Sequence, residues 1–544
     1  MNNVSEIKAL FKESEYDDLV QLVESDTSSK LKDSETIEQS IIRYCYVRSL
    51  LELGFIGKAM NLAEYRYKSS LKSNNLELRL YDIVAYAYAL MNSGLYQAMT
   101  NIELEGNGIS TKLLVTKEKN NDLLEVITLF KNIVGNAFLL TDNLDKALEY
   151  YKECLNIREK IPNNDRFIAD SLLNIGIVYL LQGNYNHAYE YEAQALQLKK
   201  KIDEKFGILN TSVNIVILKI NQGKWNEASE LIVETMKLAV SLKNLKFESI
   251  LLQMLSDINE NKGKLDEAIR YYIQSLNIKE KIGNKKLLAD ILVSIGYVYI
   301  EKKEYQQALD YFNKSSMYYT ISGSNFHMIN STFWIFWIYY TIGNESEIEL
   351  YVSEMFKDLE RYNEIRINQI FIITKEIYAS FKNGYILDDE NALAIQDLLK
   401  KRDIVDLKLQ IIASNLLCIY KLNKLKIGDS IKLRNEISEL FENIYNMGVE
   451  KNSYKYMVIS LILKAKFNLI LGNIEITFNA LKSGMDYAPK YELDRLIYEI
   501  ELEEKEVQEK IELWYNDIPI NPPIAEKIDN SNILDYLKDI MNII

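Results

Sequence analysis

The sequence predicts an all-α fold, a right-handed superhelical solenoid of stacked antiparallel helix hairpins. Three observations carry that prediction. The phrase Gly-x-[Tyr/Trp/Leu]-x-x-Ala returns with its alanine at Ala188, Ala228 and Ala268, and Ala308 follows in the same slot, every 40 residues. Glycine and proline are scarce, 20 and 5 in 544 residues, so the chain lacks the punctuation that sheets and long loops need. The chain is also far longer than the ~250–300 residues at which a single hydrophobic core stops growing. That length demands several domains or an extended array.

The register can be followed along the chain. Tyr16 and Leu19 hold the large-residue and alanine slots of the first unit, and Gly54-Phe-Ile56-Gly-Lys-Ala59 and Gly94-Leu-Tyr96-Gln-Ala-Met99 follow. The spacing then swells to 48 between Met99 and Ala147, which predicts an insertion near residues 105–120, with EGNGIS (105–110) as a loop. Asp142-Asn-Leu144-Asp-Lys-Ala147, Gly183-Asn-Tyr185-Asn-His-Ala188, Gly223-Lys-Trp225-Asn-Glu-Ala228 and Gly263-Lys-Leu265-Asp-Glu-Ala268 restore the period. Lys303-Glu-Tyr305-Gln-Gln-Ala308 places a lysine in the glycine slot, and Gly343 to Ile348 lies one period further on.

Residues 1–350 therefore read as a regular array and 351–513 as a degenerate continuation, in which Leu471-Gly472-Asn473 marks one more inter-helix turn. Three of the five prolines (Pro519, Pro522, Pro523) fall within 514–530, which reads as a linker. Residues 531–544 begin with Ser531 as a helix cap and set Ile533, Leu534, Leu537, Ile540, Met541 and Ile544 on one face of an amphipathic helix. That helix either caps the last hairpin or occupies a groove, in cis or in a dimer.

The glycine slot ends the first helix of a hairpin, where φ > 0 is commonly required. The alanine is the small partner that lets a large side chain on the other helix come close. A lone hairpin cannot bury its apolar face, so neighbours stack, about eleven to thirteen pairs over this length. Ile175-Gly176, Tyr179, Gly183, Tyr185, Ala188 and Ala195-Leu196, and again Ile295-Gly296, Tyr299, Tyr305, Ala308 and Phe312, follow one small/large order. In that order the chain resembles the tetratricopeptide repeats. The period near 40 is similar to the kinesin-light-chain-like branch and to several bacterial regulatory arrays, and implies longer helices or longer links.

Composition narrows the function. Lys and Arg number 64 against 78 Asp and Glu, a formal charge of −14, which argues against nucleic acid as a primary partner. The short clusters Lys199–Lys201 and Lys400–Arg402 read as solvated helix ends. Cys45, Cys154 and Cys418 are far apart among apolar residues and read as buried thiols of a reducing compartment. The N-terminus lacks a signal-peptide pattern and no run reaches ~18 uninterrupted apolar residues, so a cytoplasmic protein without a membrane partner is expected.

No catalytic, metal or cofactor site is expected. The two histidines, His187 in an inter-helix turn region and His327 in a loop, belong to no ligand set and read as surface residues. There is no GxSxG elbow and no phosphate loop, and the Gly106-Asn-Gly108 pair reads as a loop.

The resemblance implies that the first helix of each hairpin lines a concave groove through fixed repeat positions. Transferred residue by residue, those positions nominate Asn132 and Asn136, then Asp170, Leu173, Asn174, Ile177 and Leu180, then Asn210, Val213, Asn214, Ile217 and Asn221. Gln253, Asp257, Asp290, Val293 and Tyr297 follow, then Asn330, Phe333, Trp334, Trp337 and Tyr340. An asparagine can donate to and accept from a peptide backbone at once, so Asn174 and Asn214 form either a backbone-holding row or a merely solvated one. The 333–340 aromatics either anchor a partner's apolar side chain or pack between hairpins. No lysine occupies the fifth positions (Asn132, Leu173, Val213, Gln253, Val293, Phe333), which argues against a carboxylate clamp. The expected function is a non-enzymatic scaffold or adaptor holding a peptide or helical segment. The alternatives are a peptide-sensing regulator that changes conformation on binding and, weakest, an enzyme domain within 350–510.

Overall fold

A computed structural model describes residues 4–27, 36–117, 120–362, 364–382, 387–400, 406–516 and 522–543. The protein is an all-α helical-repeat solenoid, with no strand among the described residues. The chain divides into two compact units, Met1–Leu218 and Lys219–Ile544.

In unit 1 the helices Val4–Lys12, Tyr16–Thr27, Ile37–Glu52, Ile56–Ser70, Leu76–Asn92, Met99–Lys117, Asn121–Leu140, Leu144–Arg158, Asp165–Leu181 and Tyr185–Lys201 follow one another, and Lys205–Asn221 runs into the boundary. The segment expected as a loop, 105–110, lies inside the helix Met99–Lys117. Gly106 is there for close approach rather than for a turn: a Cβ on it would run into the Phe130 ring. The wider spacing is absorbed by that 19-residue helix and the 20-residue helix after it. The second of these, Asn121–Leu140, is the one described helix long and apolar enough to cross a membrane, and most of it is buried in the core of unit 1.

The period of 40 follows from the turns. From Asp165 to Arg361 the helices are 17 or 18 residues long, joined by short links that each hold one left-handed residue. These residues alternate between and within hairpins: Asn163, Gly183, Asp203, Gly223, Lys243, Gly263, Gly283, Lys303, Gly323 and Gly343, all at positive φ. At Gly183 the next amide, Asn184 N–H, reaches back to Tyr179 C=O at 2.8 Å, the six-residue bond that closes a helix end. Lys303 takes φ 62° in the same slot, so the backbone demand persists where the glycine does not. Longer helices, not longer links, account for the period.

Asparagines start many of these helices. The side chains of Asn75, Asn120, Asn143, Asn184, Asn244, Asn284 and Asn344 each accept an amide of the first turn, for about 1 kcal/mol apiece. Ala59, Ala147, Ala188, Ala228, Ala268 and Ala308 are wholly buried at the hairpin contacts. The same closeness requires Gly296, where a Cβ would meet the Phe312 ring at 2.7 Å.

Unit 2 continues the hairpins from Trp225–Ser241 to Glu345–Arg361, through Leu245–Asn261, Leu265–Ile282, Lys285–Glu301, Tyr305–Ser322 and Asn325–Ile342. Helices of less regular length follow: Ile365–Lys382, Asp389–Leu399, Leu407–Ile427, Ile431–Glu450, Tyr454–Leu471, Ile474–Tyr487 and Asp494–Ile511. Within the segment expected as a linker, Ile524–Asn530 is helical, while 517–521 lie outside the described residues. The terminal helix Ile533–Ile543 buries Ile533, Leu537, Ile540 and Met541 against Leu407–Ile427, Lys285–Glu301 and Tyr454–Leu471. Ile544, expected on the same face, lies outside the described residues.

Candidate functional site

In unit 1 the first helices bring several of the nominated side chains together. Asn174 Nδ2 donates to Asn132 Oδ1 at 2.8 Å, so amides from successive hairpins form one row. Asn136 lies a turn along and accepts the Tyr151 hydroxyl at 2.6 Å. Ile177, Asn214 and Ile217 are half-buried, Asn210 is exposed, and Leu173 is buried beneath them. Asp170 accepts from Lys199 Nζ at 2.6 Å, and Glu204 takes the same ammonium at 2.6 Å. Lys199 is therefore not the solvated helix end its sequence cluster suggests. Its stem lies buried, and two carboxylates compensate the charge. The row offers amide donors and acceptors beside isoleucine side chains, the chemistry needed to grip a peptide backbone without reading its sequence.

Unit 2 treats the same repeat positions differently. Phe333, Trp334 and Trp337 are at most 2 % exposed, and Tyr340 stacks on Trp337 with ring centroids 5.4 Å apart. Phe333 and Trp337 are thus core residues, not an open anchor. Tyr297 meets Trp334 edge-on at 5.0 Å and carries the Lys408 ammonium 4.0 Å above its ring. Burial pushes the Tyr297 phenol well up and the Lys408 ammonium down. Gln253 accepts from Lys279 at 2.7 Å, and Asp290 accepts the Tyr319 hydroxyl at 2.6 Å. Asp257 and Glu260 share the Tyr272 hydroxyl at 2.5 and 2.8 Å, and burial pushes the Asp257 carboxyl up to about 7.

The cover over these residues is the chain's own C-terminal part. Trp225 meets Tyr454 and Tyr491, with ring centroids 6.2 and 6.0 Å away. Lys262 pairs with Glu492 at 2.9 Å, Glu301 with Lys455 at 2.8 Å, and Lys303 with Asp539 at 3.3 Å. These contacts fall at the ends of three successive first helices or in the turns after them, so the later helices bind the hairpins at repeat spacing. Sequence reading missed this cover. One signal was present: FWIFWIYY (333–340) and much of Tyr454–Leu471 have no polar face, and a helix apolar all round is buried all round.

Both histidines pack against tyrosine rings. Exposed His187 and half-buried His327 both lie in first helical turns rather than in links, stacked on Tyr179 and Tyr319 with centroids 5.2 Å away in each case. Burial lowers the His327 pKa. The three thiols are buried and unpaired with one another, and burial pushes Cys45 up to about 12.

A family model described as tetratricopeptide repeat matches residues 125–201 and 246–316. No curated protein matches the chain in sequence. Among solved structures, the chain is similar to a Rap protein complexed with competence and sporulation factor, at 12% identity and a TM-score of 0.39, covering 68% of this chain and 100% of that one. It is similar to aspartyl phosphate phosphatase F from Bacillus subtilis at 13% identity and 0.43, covering 69% and 94%. The apo form of the quorum sensor NprR from B. thuringiensis follows at 14% and 0.39, covering 77% and 96%. Similarity this low carries no ligand or activity across. With paired helices at a 40-residue period and repeat matches in both units, the chain carries tetratricopeptide repeats at residues 125–201 and 246–316.

Proposed function

We propose that the protein is a non-enzymatic interaction scaffold that holds a peptide or helical segment of a partner protein on the first-helix face of unit 1. The observation that carries this reading is the Asn174–Asn132 bond, which aligns amides from successive hairpins on a partly exposed face. Asn174 keeps its carbonyl oxygen and a second N–H for a guest backbone, and Ile177 and Ile217 add apolar contact. The corresponding face of unit 2 is taken by the chain's own helices. The net charge of −14 supports a protein partner over nucleic acid, and the buried thiols support a reducing, cytoplasmic setting.

The test is capture of partners by the full chain, followed by affinity measurement with Asn174→Ala combined with Asn214→Ala. Binding should weaken about tenfold while unfolding free energy changes by no more than about 1 kcal/mol. Unchanged affinity, or affinity lost together with the fold, would defeat the proposal.

A second reading, a peptide-sensing regulator, draws on the self-covered face of unit 2, since an array that already holds an internal occupant has a second state available to it. Calorimetry separates the two. Short peptides that bind alone and alter the chain's scattering profile favour the regulator, and a requirement for a folded partner favours the scaffold.

A further inference from the structure

Unit 2 contains a cavity of about 600 Å³ that the proposed scaffold role does not use. Its walls include Trp337 and Tyr340 from the helix Asn325–Ile342, Ile419 and Tyr420 from Leu407–Ile427, and Lys538 and Met541 from the terminal helix. The volume falls in the range of small-ligand sites, ~300–1,000 Å³. Tyr340 and Tyr420, both half-buried, supply the flat, polarisable surfaces on which a ring packs. Lys538, an exposed cation, lies at the same cavity, with Asp535 of its own helix 3.3 Å away.

We propose that this cavity is a binding site for a small aromatic anion. The ring lies against Tyr340 and Tyr420. Lys538 supplies the charge that favours an anion over a neutral ring. Met541 and Lys538 belong to the terminal helix, so ligand occupancy and the seating of that helix reinforce each other. The site lies wholly within unit 2 and does not depend on the groove of unit 1.

The probe is 8-anilino-1-naphthalenesulfonate, an aromatic anion, titrated into the full-length protein with emission and heat followed together. One saturable site per chain is expected. Ile419→Trp, which fills the cavity from a half-buried position, should reduce affinity at least tenfold with the circular-dichroism melt unchanged. Lys538→Gln should reduce it in a salt-dependent manner. Bound probe should also slow proteolytic release of the terminal helix. Should Ile419→Trp fail to fold, Lys538→Gln decides the matter. Absence of saturable binding, or affinity unchanged in Ile419→Trp, overturns the proposal.

Discussion

Lys455 places its ammonium 2.8 and 2.9 Å from the two carboxylate oxygens of Glu301, across 154 residues of chain. Both side chains are largely withdrawn from water, at 14% and 5% exposure. The pair joins the end of a hairpin's first helix to the beginning of a helix in the irregular part of unit 2. Glu301→Gln removes the carboxylate charge that faces a mostly buried ammonium and is expected to cost roughly 2–4 kcal/mol. Glu301→Gln with Lys455→Met removes both charges and should recover much of that loss. Urea unfolding of the two variants and the parent checks this, and equal losses in both variants would contradict it.

Glu192 supplies a pH prediction in unit 1. It is 0% exposed, neither carboxylate oxygen meets a hydrogen-bond donor among the described residues, and burial pushes its pKa up to about 8. The folded state thus keeps a proton that the unfolded chain releases near its ordinary value of 4.5. The contribution to stability is complete below about 4.5 and is lost as pH rises through about 8. Glu192→Gln cannot ionise, so its stability relative to the parent should grow between pH 4.5 and pH 8.5, by roughly 2–4 kcal/mol. Denaturant titrations at the two pH values measure the difference, and a gap that does not change with pH would refute it.

The asparagine caps predict a local effect. Asn244 Oδ1 accepts the Phe247 amide at 3.2 Å at the start of the helix Leu245–Asn261. Asn244→Ala should cost about 1 kcal/mol, and Asn244→Asp should cost little because aspartate caps equally well. Thermal melts of the two variants test the pair. Equal behaviour would mean the cap contributes nothing.

The last two helices, Ile524–Asn530 and Ile533–Ile543, are expected to be integral to unit 2. Ile528, Ile533, Leu537, Ile540 and Met541 are buried, and side chains of this kind contribute about 1.5–3 kcal/mol each when fully withdrawn from water. Deleting 524–544 should therefore lower the unfolding temperature, raise dye binding to exposed apolar surface and reduce solubility. A truncated chain as stable as the parent would show that these contacts are dispensable.

Much of the fold could be read from the sequence because the repeat ties one alanine to one turn at constant spacing. The slot was readable even at Lys303, where the glycine is absent but the left-handed turn remains. The groove was less legible. Periodicity says which side of a helix faces the concave surface, but not what covers it. Asn132 and Asn174 meet as half-buried neighbours, whereas Phe333 and Trp337, nominated by the same rule, are core residues of unit 2. Lys408 and Lys455, which face Tyr297 and Glu301, belong to a part of the chain whose register had faded. Gly106 misled for a related reason. Glycine marks both turns and close contacts, and only the position of Phe130 distinguishes them.

The cover over unit 2 has a bearing on how such a chain can lengthen. Open arrays evolve by duplicating a module, since each hairpin touches only its neighbours. Here Lys262 is matched by Glu492, and one repeat later Glu301 and Lys303 are matched by Lys455 and Asp539, in the manner of a key cut for one lock. One extra hairpin between Gly263 and Lys303 would displace the later contacts by two helix widths, roughly 16–20 Å. No side chain spans that gap. The number of modules in unit 2 is therefore a frozen quantity, and gain or loss of repeats in descendants of this gene is expected to fall outside residues 225–343.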